Sequence, residues 1–207
     1  DDAFGLTSDR VRQVYVPTAG GKHLAAWLVS PPQTVAAPAP AVLVMHGWGA
    51  NASMMGPVVP PLHTAGFAVL LLDARCHGHS DDETFTSMPR FAEDIAAGLS
   101  WLKHQPNIAS DRVALLDEPF SALDTITNSA MHRWYLSVME EIKLSTIFIT
   151  HDIHEAFRLG TRVLIMDEGR VCQFDRPENI IQSPQGTFVA NLIETVKEQE
   201  KIWRTYA

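Results

Sequence analysis

The chain has 207 residues, of which 46% are hydrophobic and 19% charged, and a formal net charge of −8. That is enough apolar material for a sizeable core at the upper end of one α/β domain, and too little charge for a disordered segment. Lysine and arginine are scattered, so no nucleic-acid partner is expected, and no apolar run reaches the roughly 18–20 residues of a bilayer span, so no membrane insertion is expected.

The chain starts Asp1-Asp2, without the positive start of a secretory leader. Cys76 and Cys172 fit neither a metal-ligand spacing nor a disulfide framework, which suits a reducing compartment. The expected location is cytoplasmic, or soluble if the chain is recombinant.

Strand-like runs fall at Arg12–Val16, Leu24–Val29, Ala41–Met45, Ala68–Asp73, Arg112–Leu116, Thr146–Thr150, Arg162–Met166 and Arg170–Phe174. From the third onward several are apolar throughout, the pattern of strands covered on both faces. Helical patterns lie between them, at Met55–Ala65, Pro89–His104, Thr125–Lys143, Ile153–Leu159, Pro177–Ile181 and Thr187–Ile202. Strand and helix alternate, which predicts a three-layer, doubly wound and mostly parallel sheet of about eight strands in a single domain. The Pro/Ala stretch at residues 31–40 reads as a surface connection ahead of the third strand. Most glycines and prolines precede residue 117, so the first part is loop-rich and the rest helix-rich.

Residues 42–51, VLVMHGWGAN, form an apolar strand that runs into His46-Gly47-Trp48-Gly49. Glycine just past a strand end allows a sharp turn that can aim backbone N–H groups into a cleft, the geometry that stabilises an oxyanion. A second buried strand then ends in Asp73-Ala74-Arg75-Cys76-His77-Gly78-His79-Ser80, and residues 91–106 read as a helix. In this order the three features resemble the N-terminal half of an α/β-hydrolase over residues 10–116. The resemblance implies an oxyanion loop at 46–49 whose working group is the Trp48 backbone N–H, and it leaves His46, His77 and His79 as turn residues making local hydrogen bonds.

The same family places Gly-x-Ser-x-Gly after its fifth strand, with the serine on a strained elbow. Here Asp117-Glu118-Pro119-Phe120-Ser121 follows DRVALL, so proline stands at the nucleophile position. Ser121 comes two residues late and lacks the elbow. The pattern assigns no catalytic residue; the candidates are Glu118, His151 and the Trp48 N–H.

Residues 114–124, ALLDEPFSALD, and 147–171, IFITHDIHEAFRLGTRVLIMDEGRV, resemble the second half of an ATP-binding cassette ATPase, the energy subunit of an importer. By that resemblance Asp117 would assist a Mg²⁺ shell, Glu118 would polarise water, Asp124 would close the loop that meets a second subunit and His151 would contact a γ-phosphate. The likeness covers residues 113–207, and transporter subunits are partners by resemblance only. The chain contains no Gly-x-x-x-x-Gly-Lys-Ser/Thr loop and no Leu-Ser-Gly-Gly-Gln signature, so no cofactor is expected; Mg-ATP and weak metal binding at Asp117 belong to an alternative reading.

Both families run a central parallel strand into a helix at this point, and a splice inside that strand keeps right-handed crossovers on both sides. The expectation is therefore a chimera, engineered or recombined, with hydrolase-derived residues 1–116 continued by ATPase-derived residues 117–207. Its strands should order as 1-2-4-3-5, with the next two added beyond the fifth and an antiparallel hairpin at the edge. Efficient parental activity is not expected; the alternatives are an altered hydrolase or a weak Mg-nucleotide binder.

Overall fold

The computed structural model describes residues 4, 6, 9–117 and 145–206. The helix expected at Thr125–Lys143 and the residues Glu118, Pro119, Ser121 and Asp124 lie outside them. The chain divides into two compact units, residues 1–149 and 150–207.

The first unit is built on a six-stranded sheet in the order β1-β2-β4-β3-β5-β6. Its strands are β1 (Val11–Thr18), β2 (Lys22–Val29), β3 (Ala39–Met45), β4 (Ala68–Leu72), β5 (Ile108–Asp117) and β6 (Ser145–Phe148). β1 and β2 are antiparallel, as are β2 and β4, whereas β3 runs parallel to β4 and to β5, and β5 parallel to β6. The expected order is thus present, and β5 lies between β3 and β6.

Alternation along the parallel strands feeds both faces. Val42, Val44, Val69 and Leu71 pack with Ala52 and Val59 from a 3-10 segment, Ala52–Val58, and helix α1, Val59–Thr64. Prolines 57, 60 and 61 explain the short, tight helical turns here in place of the one helix expected from Met55, since each lacks an N–H. On the opposite face lies helix α2, Met88–Lys103, whose N-cap Ser87 accepts the Arg90 N–H at 3.5 Å. Gly98 brings this helix so close that a Cβ there would sit 2.9 Å from Leu72 Cδ2 and 3.2 Å from Leu43 Cδ1. Sheet and two helical layers make the expected three-layer arrangement.

The second unit holds α3 (Ile153–Leu159), β7 (Val163–Asp167), β8 (Arg170–Asp175), α4 (Pro177–Gln182) and α5 (Gly186–Tyr206). Glu168 and Gly169, both at positive φ, make the two-residue turn that joins β7 to β8 antiparallel. Of the eight strands expected in one sheet, six form it, and β7 and β8 form a two-stranded sheet of their own. The physical reason is a separate core: Val163 and Ile165 of the hairpin are buried with Ile180, Val189 and Ile193 of α4 and α5. Among the described residues no helix is long and apolar enough to cross a membrane.

Because β5 is hydrogen-bonded on both sides and Leu115 is fully buried, the sheet should be sensitive there. Leu115→Ala is expected to lower unfolding stability by about 2–5 kcal/mol, read from urea titration against the wild-type chain.

Candidate functional site

The site is formed where β3, β4 and β5 end together. Register pairs Val44 with both Leu71 and Leu116, so the chain leaving β3 at His46, the chain leaving β4 at Asp73 and Asp117 at the end of β5 share one edge. This is the carboxyl edge at which open α/β sheets place their ligands.

Leaving β3, the chain turns through Gly47, Trp48 and Gly49, with Gly49 at φ 79° and the Ala50 N–H donating to the Gly47 carbonyl at 3.0 Å. His46 is wholly buried; its Nδ1–H donates to the Gly47 carbonyl at 2.9 Å and its Nε2 accepts the Ala74 N–H at 3.1 Å. Burial holds the His46 pKa below the ordinary imidazole value, with its neighbour His77 acting in the same direction. His77 repeats the arrangement: Nδ1–H donates to the Arg75 carbonyl at 3.0 Å and Nε2 faces the Gly49 N–H at 3.4 Å. The rings of His46, Trp48, His77 and Phe91 pack together, with His46 and His77 centred 5.0 Å apart. The Trp48 N–H has no acceptor among the described residues.

The motif after β4 is mechanical. Asp73 Oδ1 accepts the Ala52 N–H at 2.7 Å and Oδ2 accepts the His79 N–H at 3.0 Å, so one carboxylate ties the 3-10 segment to the turn. Ser80 Oγ–H donates to the Asp73 carbonyl and accepts the Ala25 N–H, both at 2.7 Å, which fixes the turn to β2. Gly78 has φ 55°, and any Cβ there would run into the Asp73 carboxylate.

Arg75 is wholly buried. Its Nε donates to Asp94 Oδ1 at 2.9 Å and one terminal nitrogen to the same oxygen at 2.7 Å, while Glu83 and Glu93 lie at 3.2 and 3.0 Å. Although burial disfavours the guanidinium, these hydrogen bonds outweigh it and raise its pKa. Asp94 also accepts the Arg75 backbone N–H at 2.9 Å and the Thr18 hydroxyl at 3.0 Å. Sequence reasoning gave Asp94 no role; its signal was an acidic residue on the apolar face of α2, between Phe91 and Ile95.

Of the candidate residues, the structure brings the Trp48 loop and Asp117 to the same sheet edge. Asp117 is wholly buried, and its carbonyl accepts the Ile149 N–H at 3.0 Å. Glu118 and Asp124 lie outside the described residues. His151 is exposed in the second unit, where its neighbours hold the start of α3: Asp152 caps the helix by accepting the His154 N–H at 2.8 Å, and the Thr150 hydroxyl donates to the carboxylate of the buried Glu155 at 2.6 Å. Among the described residues no three His, Cys, Asp or Glu side chains gather as a metal site requires.

Comparison with known proteins finds two kinds of relative, each over part of the chain. Residues 20–125, just over half of its length, match the family X-Pro dipeptidyl-peptidase (S15 family). A stretch of 82 residues, 40% of the chain, is 43% identical to the sulfate/thiosulfate import ATP-binding protein CysA of Bradyrhizobium diazoefficiens and covers 24% of that protein. Over 85 residues, 41% of the chain, the identity to the carnitine transport ATP-binding protein OpuCA of Listeria monocytogenes is 39%, covering 21% of it. The chain therefore spans about a quarter of these relatives or less. Among solved structures, the hypothetical protein PA2218 from Pseudomonas aeruginosa superposes with a TM-score of 0.50 at 24% identity, over 56% of this chain and 37% of that one, a likeness of fold. The chain is a chimera of an α/β-hydrolase-like part and a part similar to ATP-binding cassette ATPases.

Two substitutions probe the anchoring of the edge. Arg75→Met leaves Asp94 buried without its cation and is expected to cost about 3–5 kcal/mol of stability. Gly78→Ala, with strain and a clash against Asp73, is expected to cost at least about 1–3 kcal/mol. Denaturant midpoints of the purified variants give both values.

Proposed function

Because the chain belongs, through residues 20–125, to the X-Pro dipeptidyl-peptidase (S15) family, we propose that it is a recombined α/β protein that keeps this family's scaffold without an efficient parental activity. The supporting observation is the end of β5. Where the hydrolase pattern turns into a serine elbow, β5 continues through Asp117, paired with Phe148 of β6, and the sequence goes on Glu118-Pro119. Pro119 has no nucleophilic atom. The Trp48 N–H could polarise a carbonyl, but polarisation without an attacking group does not open an acyl bond.

The import-ATPase-like part is read in the same way. Asp117 would act on nucleotide through a metal already bridged to phosphates, and the 207 residues contain no glycine-rich loop with its lysine to hold those phosphates. Neither Mg-ATP nor a transporter subunit is required in this reading. The imported stretch contributes strand β6, which completes the second edge of β5, and the helix-rich second unit.

One observation favours a second reading, an altered hydrolase. The Trp48 loop and Asp117 stand at the ends of neighbouring parallel strands, so a carboxylate from the segment after β5 could attack a carbonyl held by the loop. Hydrolysis of p-nitrophenyl acetate separates the two readings. The scaffold reading expects turnover indistinguishable from buffer and unaffected by Glu118→Gln or His151→Ala. Turnover abolished by either substitution establishes the hydrolase. Calorimetry with Mg-ATP should show no binding heat at about millimolar ligand, the weak end of specific affinity.

A further inference from the structure

We propose that His46 and His77 form an acid-sensitive latch that fixes the loop 46–50 only while both imidazoles are neutral. The geometry assigns the same protonation to both rings. Each Nδ1 faces a carbonyl, Gly47 for His46 and Arg75 for His77, and therefore carries the proton; each Nε2 faces a backbone N–H, from Ala74 and Gly49, and therefore carries a lone pair. Protonating Nε2 turns an acceptor into a donor and sets it against the N–H that it received. At His77 the loop then loses the bond to Gly49; at His46 it loses the tie to Ala74 and the strand end of β4.

The two rings also act on each other. Their centroids are 5.0 Å apart with Phe91 packed against both, so two imidazolium ions there would repel across an apolar contact. The charged groups around the pair oppose this only in part. The turn contributes Asp73, already occupied by the Ala52 and His79 N–H groups, and Arg75, whose guanidinium is held by Asp94, Glu83 and Glu93. From α2, Glu93 and Asp94 are engaged by Arg75, and the helix presents Phe91 to the rings. The neighbouring strand β5 ends in Asp117, and the 3-10 segment Ala52–Val58 carries no charge.

The sign follows from the burial of His46. Its closed-loop pKa lies below the ordinary 6.5, so the open or unfolded chain binds the proton more tightly than the closed loop does. The contribution of His46 to the closed state is complete above 6.5 and is lost as pH falls through that value towards the lowered one.

Nitrogen-15 NMR of the full chain tests the latch. At about pH 7.5, both rings are expected as the Nδ1–H tautomer. On acidification to about pH 5.5, exchange of the Gly49 amide, corrected for its intrinsic rate, should accelerate by about fivefold or more while the Val42–Val44 amides of β3 stay protected. In His77→Gln, a half-exposed site where the side-chain carbonyl can accept the same N–H without titrating, the pH response of Gly49 exchange should shrink to the part that His46 sets. An Nε2–H tautomer at neutral pH, a Gly49 rate independent of pH in the wild type, or an unchanged pH response in His77→Gln each overturns the proposal. Hydrolytic activity enters none of these readings, so the latch stands or falls separately from the scaffold reading.

Discussion

The first unit depends on β5 being hydrogen-bonded along both of its edges. Ala41, Val42, Leu43 and Val44 of β3 register with Val113 to Leu116 on one side, and Ser145 to Phe148 of β6 with Ala114 to Asp117 on the other. Those bonds use backbone groups alone, so they are indifferent to where a side chain was inherited from. Burial adds a weak further demand: Val113, Leu115 and Leu116 need only be apolar and of suitable volume. A central parallel strand is consequently a tolerant place to exchange one sequence for another, and an edge strand, with one row of bonds unmet, is not.

What surrounds the strand end is less tolerant. The Asp73 carboxylate reaches two backbone N–H groups in different loops, and Arg75 reaches Asp94, Glu83 and Glu93 from a position with no solvent access. Buried charges of this kind contribute little net stability when complete, because desolvation offsets the attraction, but they are costly to leave half-made. They therefore enforce one arrangement of β4, its turn and α2. All of these groups come from before residue 95, so the network is complete within the part of the chain that precedes β5.

The strand order was legible because apolar runs, intervening helices and right-handed crossovers leave few alternatives. The local bonds of the His46 and His77 rings to neighbouring carbonyls were legible too, whereas the burial of His46 and its bond to the distant Ala74 N–H were not, and His79 acts through its backbone N–H, donated to Asp73. The separate hairpin was not legible. Continuous apolar strands such as Val163–Asp167 announce burial without saying against what, and α4 and α5 supply the cover within the second unit. Nor was the Arg75–Asp94 pair legible, since its partners lie 19 residues apart and meet only because α2 crosses back over the sheet. In the motif at 150–152 the resemblance drew attention to His151, whereas the interactions present are those of Thr150 and Asp152 with the start of α3.

Fold and chemistry separate at the end of β5 because they impose different tolerances. The sheet accepts errors of a methylene at about 1–3 kcal/mol each and spreads them over many contacts. A nucleophile elbow has no such averaging: it needs one residue type at one position, with glycines beside it to relieve a strained turn. Asp117 satisfies the first demand, as a buried residue at the end of β5, and the sequence Glu118-Pro119 that follows offers no serine for the second. A loop such as 46–50 lies between these limits. Its shape is held by His46, Asp73 and His77, all of which precede β5 in the chain, whereas a hydrolase's reaction also needs a nucleophile after that strand. The form of the turn at 46–50 is thus a consequence of where its supporting hydrogen bonds lie in the chain, and by itself it carries no argument for turnover.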